Sequence, residues 1–201
     1  MSKGSLAKAL SSLHGFKSPK VRDEQYTTPG EIAAKLLWMA QMHQDLAGKK
    51  VCDLGAGTGI LGIGAALLGS AVTLVDKDPD ALAIAQENAS ALGITVHTIT
   101  SEVTSYNIPA DTVIMNPPFG TKNKHADTLF LAQAFTLANH VYSIHKASTD
   151  DYIRNYAEMR GFATTHALPE KMMLPKTQKY HSKPKTLIDV VIYRFIPLQS
   201  L

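Results

Sequence analysis

The tetrapeptide Asn116-Pro117-Pro118-Phe119 combines an amide, two prolines and an aromatic ring, which together could hold a planar amino group. It directly follows the apolar run from Thr112 to Met115, which predicts a buried strand. Each proline fixes φ and lacks an amide donor, and the residue before it is biased towards an extended conformation. We therefore expect the Asn116 side chain and the Pro117 carbonyl to point outward as rigid hydrogen-bond acceptors. The alternative is a proline-rich strand terminator without a chemical role.

A glycine-rich loop lies upstream, between a predicted strand and a predicted helix. Gly55-Ala56-Gly57-Thr58-Gly59 follows the strand Lys50–Leu54 and precedes an apolar helical stretch from Ile60 to Leu68. Glycines at alternate positions let the backbone approach a ligand without a Cβ clash, and the following helix directs its unpaired amides at that ligand. The next strand, Ala71–Asp76, ends in a carboxylate that could accept both hydroxyls of a ribose.

The glycine loop fits two cofactor classes. The residues from Gly57 to Gly62 match G-x-G-x-x-G, the fingerprint of nicotinamide and flavin enzymes. Asp53 before the glycines, the G-x-G-x-G spacing and the later Asn-Pro-Pro-Phe instead resemble S-adenosylmethionine-dependent methyltransferases of the Rossmann-like class. A dehydrogenase has no use for a fixed amino-group acceptor beside an aromatic ring. The methyltransferase interpretation is therefore favoured.

The composition is that of one ordinary globular domain. The chain has 201 residues, of which 45% are hydrophobic, which is enough for a core that folds alone. No apolar run approaches the roughly 20 residues of a membrane span, and the first five residues lack the apolar stretch of a secretory signal. Cys52 is the only cysteine, so no internal disulfide or cysteine-cluster metal site is expected. We expect a cytoplasmic protein, or a nuclear one if the source has a nucleus, with no metal and no membrane partner.

The net charge of +3 is too small to indicate a nucleic-acid partner by itself. Between Pro169 and Thr186, however, Tyr180 and His181 lie among five lysines, against the single acid Glu170; the lysines are Lys171, Lys176, Lys179, Lys183 and Lys185. Basic residues interleaved with an aromatic residue suit phosphate contact and base stacking. A solvated loop that only keeps the protein soluble is the alternative.

The chain divides into two predicted regions. Residues 1–24 form an N-terminal region, with a helix from Ser5 to Leu13 and a basic linker from Gly15 to Asp23. Residues 25–201 are predicted to form a single Rossmann-like domain. Its first helix is predicted to begin after Thr28, whose side chain would cap it.

Strand and helix patterns then alternate, which is typical of an α/β fold with a mostly parallel sheet and helices on both faces. The remaining predicted elements are helices at 79–92 and 129–139, a helix capped by Ser148, and strands at 95–99, 141–145, 164–168 and 186–195, the last two antiparallel. Ligands of such sheets bind beyond the carboxyl ends of the strands, where Asp53, Asp76 and Asn116 all fall.

Four motifs occur in order along the chain, namely Gln25-Tyr26-Thr27-Thr28-Pro29, the run from Asp53 to Gly59, the run from Asn116 to Lys122, and Tyr142-Ser143-Ile144-His145-Lys146. Together they resemble the methyltransferase-like protein 5 family of ribosomal RNA adenine-N6 methyltransferases and its archaeal relatives. The likeness extends from about Gln25 to Phe195. The run beginning at Asn116 and the His-Lys pair are its specific parts, because the glycine loop alone would indicate only the superfamily.

The resemblance implies a class I S-adenosylmethionine-dependent methyltransferase with a seven-stranded sheet. It also implies S-adenosyl-L-methionine as cofactor and an adenine of small-subunit ribosomal RNA as substrate. The candidate cofactor-binding residues, with Asp53 and the glycine loop included, are Gln25, Thr28, Asp53, Gly55, Gly57, Thr58, Gly59, Ile60, Asp76, Glu102, Val103 and Asn116. Glu102 stands where the family often has Asp, so a longer side chain must reach the adenine amino group of the cofactor.

The family also works with a small zinc-binding activator subunit, which implies a heterodimer. In the usual strand order of this class, the strand predicted at 95–99 is a sheet edge. Such an edge would offer unpaired backbone groups to that subunit.

The predicted catalytic residues are Asn116, Pro117, Pro118 and Phe119. Adenine N6 is a poor nucleophile because its lone pair is delocalised into the ring. If Asn116 Oδ1 and the Pro117 carbonyl each accept one N6 proton, the nitrogen is drawn towards tetrahedral geometry and its lone pair faces the methyl group. Phe119 could stack on the base. No general base is required, because the departing proton becomes acidic only once the methyl group has arrived.

The candidate RNA-binding residues are Lys122, Lys124, His145, Lys146, Tyr180, His181, Lys183 and Lys185. Lys122 and Lys124 come just after the tetrapeptide, where a polynucleotide backbone would pass, and a solvated loop is their alternative. His145 and Lys146 could contact RNA or the rim of the site, or have a structural role.

Three other functions stay open at this stage. An adenine-N6 methyltransferase of transfer RNA or DNA would use the same chemistry. A protein-glutamine N5 methyltransferase also holds a planar amide with Asn-Pro-Pro-aromatic, but usually has Tyr where this chain has Phe119, and a larger N-terminal domain. A non-catalytic RNA scaffold that binds the cofactor would need neither the intact tetrapeptide nor the intact glycine loop.

Overall fold

The computed structural model describes residues 1–120, 126–175 and 185–200. Its strands are β1 (Lys50–Leu54), β2 (Ala71–Asp76), β3 (His97–Thr100), β4 (Thr112–Met115), β5 (His140–Lys146), β6 (Phe162–Pro175) and β7 (Lys185–Pro197). They form one sheet in the order β3-β2-β1-β4-β5-β7-β6. Among the described strands, β7 runs antiparallel to the other six, which are parallel to one another. The predicted mostly parallel seven-stranded sheet with an antiparallel C-terminal strand is confirmed.

Helices cover both faces of this sheet, as predicted. They are α1 (Lys3–Ser11), α2 (Gly30–Met42), α3 (Ile60–Leu67), α4 (Pro79–Ala91), α5 (Ala126–Leu137) and α6 (Asp150–Met159). Side chains of α1 to α4 share one core with one face of the sheet, and side chains of α5 and α6 share a second core with the other face. The central strand β4 is buried at every position, which explains its continuous apolar sequence. In the described part of the chain, no helix is long and apolar enough to cross a bilayer.

The N-terminal helix α1 packs into the same core as α2 and α3. Leu6 and Leu10 are almost fully buried there. Gly30, at the start of α2, lies so close to α1 that a Cβ would contact Ser11 and the Ala7 carbonyl. The predicted domain boundary after residue 24 stays a prediction, but α1 contributes to the core of the domain that follows it.

The strands β6 and β7 form a hairpin that is longer than predicted. Their pairing continues to Pro175 opposite Lys185, whereas β5 pairs with β7 only as far as Lys146 opposite Val190. The outer part of the hairpin therefore projects past the carboxyl ends of the parallel strands. Residues 176–184, which include the predicted RNA-binding residues Tyr180, His181 and Lys183, lie outside the described residues.

Two predicted helix caps are wrong. The helix α2 begins at Gly30 after Pro29, which has no side-chain cap, and the Thr28 hydroxyl instead accepts a hydrogen bond from the Asn116 side chain. Ser148 lies within the 3-10 turn Ala147–Thr149 that precedes α6, so it cannot cap that helix. In both cases the chain enters the helix later than local propensity predicts.

Candidate active site

A cavity of about 410 Å³ opens at the carboxyl ends of β1, β2 and β4. Its floor is the glycine loop, and its roof is formed by residues 14–28, called here the N-terminal strap. The predicted site residues that line the cavity are Gln25, Thr28, Asp53, Gly55, Gly57, Thr58, Ile60, Asp76, Glu102, Val103, Asn116 and Pro118. Twelve predicted residues from five separate segments of the chain therefore meet in one place. Gly59, Pro117 and Phe119 lie outside the lining.

The glycine loop needs glycine for two separate reasons. Gly57 has φ +53, and a Cβ on it would come within 2.8 Å of the Phe16 ring in the strap. Gly59 has φ +84 and precedes the first residue of α3. Left-handed backbone is costly for other residues. The loop thus passes close under the strap, and the amino end of α3 faces the cavity.

Two carboxylates hold the glycine loop and the first turn of α3 in this arrangement. Asp53 is fully buried and accepts a hydrogen bond of 2.7 Å from the Gly62 amide. Burial raises the pKa of Asp53 to about 7, although the bond from Gly62 opposes the shift. Asp76 accepts bonds of 2.8 Å from the Gly57 amide and 2.9 Å from the Asp78 amide. Because each carboxylate oxygen can accept two bonds, Asp76 keeps acceptor capacity towards the cavity.

The Asn116 side chain is held at both ends of its amide. The Tyr26 hydroxyl donates to Asn116 Oδ1 at 3.1 Å, and Asn116 Nδ2 donates to Thr28 Oγ1 at 2.9 Å. Both partners belong to the strap. Asn116 Oδ1 thus keeps one lone pair for a further donor that enters the cavity.

Phe119 packs against protein side chains. Its ring is 9% exposed, its centroid is 5.6 Å from that of Tyr26, and Lys146 Nζ lies 5.7 Å from the same centroid. A base could stack on Phe119 only after the ring became more exposed. The predicted stacking role of Phe119 and the RNA contact of Lys146 stay predictions.

The structure favours the structural role of His145 over the RNA contact that the sequence also left open. The imidazole, on β5, is fully buried and shares a hydrogen bond of 2.7 Å with Ser143 Oγ. Asp127 Oδ2 lies 3.7 Å from His145 Nδ1. Burial lowers the pKa of His145 despite the opposing effect of Asp127. A neutral ring without solvent access cannot bind phosphate. Lys122 and Lys124 lie outside the described residues, and only the backbone of Lys185 is described.

The strap is fastened by polar contacts that the sequence did not reveal. Asp78, at the start of α4, accepts from Gln25 Nε2 at 2.7 Å and lies 2.9 Å from Lys20 Nζ. Lys77 Nζ lies 2.9 Å from Asp23 Oδ1. Burial tends to raise the pKa of Asp78, but Lys20 and Gln25 outweigh it and the pKa is lowered.

Sequence reasoning missed three residues that matter here, namely Phe16, Tyr26 and Asp78. Tyr26 was part of a motif, but no chemical role pointed to it. No sequence motif indicated the roles of Phe16 and Asp78, because those roles depend on where the strap crosses the sheet.

Comparison with known proteins agrees with this geometry. Residues 31–141 match the family described as the methyltransferase small domain. The chain is 37% identical to the rRNA N(6)-adenosine-methyltransferase METTL5 of Danio rerio, over 96% of this chain and 97% of that protein. It is 35% identical to an uncharacterized protein of Methanocaldococcus jannaschii, over 92% of this chain and 90% of that protein.

The fold agrees as closely. A crystal structure of a Pyrococcus horikoshii protein, described as a candidate RNA methyltransferase, superposes with a TM-score of 0.93 at 44% identity and covers 98% of both chains. This chain belongs to the METTL5 family. The predicted family, fold class and enzyme class are confirmed, and the nicotinamide alternative is excluded.

The METTL5-family cavity of this chain fits S-adenosyl-L-methionine, the cofactor of this methyltransferase family. The Asp76 carboxylate can accept ribose hydroxyls, and the glycine loop leaves room for a ligand close to its backbone. Thr58 Oγ1 is buried and has no hydrogen-bond partner among the described residues. The other predicted cofactor contacts stay predictions.

Proposed function

We propose that this protein transfers a methyl group from S-adenosyl-L-methionine to N6 of an adenosine in small-subunit ribosomal RNA. The observation that carries the proposal is Asn116 Oδ1, an oriented acceptor on the rim of the cofactor cavity. The relatives from Danio rerio and Drosophila melanogaster, 37% and 36% identical over nearly the whole chain, are named rRNA N(6)-adenosine methyltransferases.

The protein's own contribution is position and polarity. S-adenosyl-L-methionine supplies a methyl group made electrophilic by its sulfonium. Asn116 Oδ1 accepts one N6 proton and the Pro117 carbonyl accepts the other, so the amino nitrogen loses conjugation with the ring and turns its lone pair towards the methyl group. A carbon–nitrogen bond forms as the carbon–sulfur bond breaks, and the extra N6 proton then passes to water. The chain needs no general base for this sequence.

The target adenosine must reach Asn116 and Pro117 unpaired, because its N6 amino group is hydrogen-bonded to the partner base within a duplex. Phe119 follows Asn116 by three positions, and Lys146 Nζ lies 5.7 Å from the centroid of the Phe119 ring. Stacking of the base on Phe119 would contribute about 1–3 kcal/mol. The hairpin of β6 and β7 projects past the carboxyl ends of the parallel strands, where the cavity also opens, and would contact flanking RNA.

The test is methyl transfer from isotopically labelled cofactor to four substrates in parallel. These are small-subunit ribosomal RNA, total transfer RNA, double-stranded DNA and a glutamine-containing release factor. We expect label in the ribosomal RNA, recovered as N6-methyladenosine after digestion. Exclusive labelling of any other substrate would overturn the substrate assignment while leaving the methyltransferase class intact.

We infer, in addition, that a small zinc-binding activator subunit pairs with β3. The strand β3 has one neighbour, β2, and so ends the sheet. On the face that carries α5 and α6, the chain between β3 and β4 forms only the 3-10 turn Val103–Ser105 and no α-helix. An edge with unpaired backbone groups is suited to receive a partner strand.

Amide hydrogen exchange locates this partner. We expect half of the β3 amides to exchange fast in the isolated chain and to become protected when the activator is added. The opposite edge strand, β6, provides the internal control, since its exchange should not change. Protection at β6 with none at β3 would contradict the inferred interface.

A further inference from the structure

We propose that Tyr26 and Thr28 are positioning residues that hold the Asn116 amide in place at the rim of the cavity, where it would meet the substrate amine. The proposal rests on the function proposed above and adds two residues to its machinery. Neither the tetrapeptide nor the glycine loop contains them.

The orientation of the Asn116 amide decides whether the site can bind an amino group. Rotation by 180° about the bond between Cβ and Cγ exchanges the carbonyl oxygen and the NH2 group. Oδ1 accepts a hydrogen bond from adenine N6, whereas an NH2 group in the same place would set donor against donor. A catalytic asparagine therefore needs neighbours that hydrogen-bond both ends of its amide and so restrict its rotation.

The strap provides those neighbours. The Tyr26 hydroxyl donates to Oδ1 and Thr28 Oγ1 accepts from Nδ2. The two residues are two positions apart in the irregular segment just before α2, and both of their side chains reach the Asn116 amide. One lone pair of Oδ1 is used by Tyr26 and the other is left for the substrate.

Tyr26 is suited to act as a constant donor. The residue is half-buried, and burial of its phenol raises the pKa of Tyr26 well above its ordinary value, although the bond to Asn116 opposes the shift. The phenol therefore stays protonated throughout the range in which the enzyme works. The same ring contacts Phe119, so one strap residue supports two residues of the tetrapeptide.

The test is the kinetics of Tyr26→Phe, which keeps the ring against Phe119 and removes only the hydroxyl. We expect kcat to fall about tenfold to a hundredfold, the range for a mispositioned reacting group. KM for RNA, Kd for the cofactor and the melting temperature should not change. Thr28→Val, which removes the acceptor for Nδ2, should lower kcat in the same direction.

Tyr193→Phe is the matched control. Its hydroxyl also bonds a neighbouring side chain, Asp150 Oδ1 at 2.7 Å, but on α6, away from the cavity. This variant should keep the kcat of the parent. A loss of kcat in both tyrosine variants would indicate a general effect of removing a hydroxyl and would overturn the proposal.

A double-mutant cycle separates positioning from packing. In an Asn116→Ala background, removal of the Tyr26 hydroxyl should have no further effect, because no amide is left to orient. Additive losses, or a Tyr26→Phe enzyme with the parent kcat, would overturn the inference. The cycle is run on whichever amine the parent enzyme methylates, so a wrong substrate assignment would not be mistaken for a wrong role of Tyr26.

Discussion

At the scale of single side chains, the Asn116 oxygen links the strap to the proposed catalytic residues. It accepts a hydrogen bond from Tyr26 and lies on the rim of the cavity. Removing it should remove an interaction that strengthens as N6 gains positive charge. We expect Asn116→Ala to raise the barrier by about 2–4 kcal/mol, the cost of losing one oriented electrostatic contact. Single-turnover methylation with saturating cofactor measures this directly.

Asn107→Ala is the control for the loss of Asn116. Asn107 is exposed and bonds only weakly to nearby side chains and backbone. Its variant should methylate at the parent rate, and cofactor affinity should be retained in both variants. Near-normal methylation by Asn116→Ala would rule out the catalytic role.

A second prediction at this scale concerns Asp53 and the dependence of the free energy of unfolding on pH. The pKa of Asp53 is raised to about 7 by burial, from about 3.9 in an unfolded chain. The folded state therefore binds the proton more tightly, and the stability linked to Asp53 is greatest below about pH 4 and is lost as pH rises to about 7. Over that window the loss is a few kcal/mol at most.

Asp53→Asn should flatten this dependence, since the amide is neutral at every pH and its oxygen can still accept from the Gly62 amide. Urea unfolding of the cofactor-free protein at several pH values between 4 and 8 measures the difference. We expect the variant to gain stability relative to the parent as pH rises. Parallel curves for the two proteins would show that Asp53 is already ionised at pH 5.

At the scale of elements, the sequence predicted helices and strands best where glycines coincide with the ends of apolar segments. The segment from β1 through the glycine loop to α3 was predicted almost residue by residue, because glycines separate a buried strand from a buried helix. The cap at Thr28 was predicted wrongly, because the hydroxyl bonds Asn116, 88 positions away. The sequence could not decide between an RNA contact and a structural role for His145, since burial beside Asp127 depends on how α5 packs on β5.

The strap is the element whose contacts only the structure reveals, and it carries the next prediction. Asp78→Asn removes the charge that pairs with Lys20 but keeps a good helix cap, because Asn serves as well as Asp at that position. We expect faster amide exchange across residues 14–25 and weaker cofactor binding, since the roof of the cavity is less well fastened. Hydrogen exchange and calorimetric titration are the two measurements.

Asp80→Ala is the control for the strap, because Asp80 is exposed on the same helix and its charge acts on Lys20 more weakly than that of Asp78 does. It should change exchange and affinity much less than Asp78→Asn does. If Asp78→Asn behaved like Asp80→Ala, the strap would be held by the packing of Phe16 and Tyr26 alone.

At the scale of the whole molecule, the two ends of the sheet have different tasks. The cavity lies at the carboxyl ends of the parallel strands, and a buried polar network lies at their amino ends. Asp45 Oδ2 accepts from the Tyr142 hydroxyl at 2.6 Å and from Arg194 Nε at 3.0 Å, and the Asp45 carbonyl accepts from Thr112 Oγ1. This network joins the loop after α2 to β4, β5 and β7.

Stability and catalysis should therefore be separable. Asp45→Ala leaves Arg194 buried without its counter-ion, and we expect a loss of about 3–5 kcal/mol in the free energy of unfolding. Asp189→Ala breaks the exposed pair with Lys171, whose side chains are both 68% exposed, and should cost at most about 1 kcal/mol. Because the network lies at the far end of the sheet from Asn116, kcat measured well below the melting temperature should equal that of the parent in Asp45→Ala. Normal stability of Asp45→Ala would show that the network contributes little to folding. A lowered kcat in the fully folded variant would show that the two ends of the sheet are coupled.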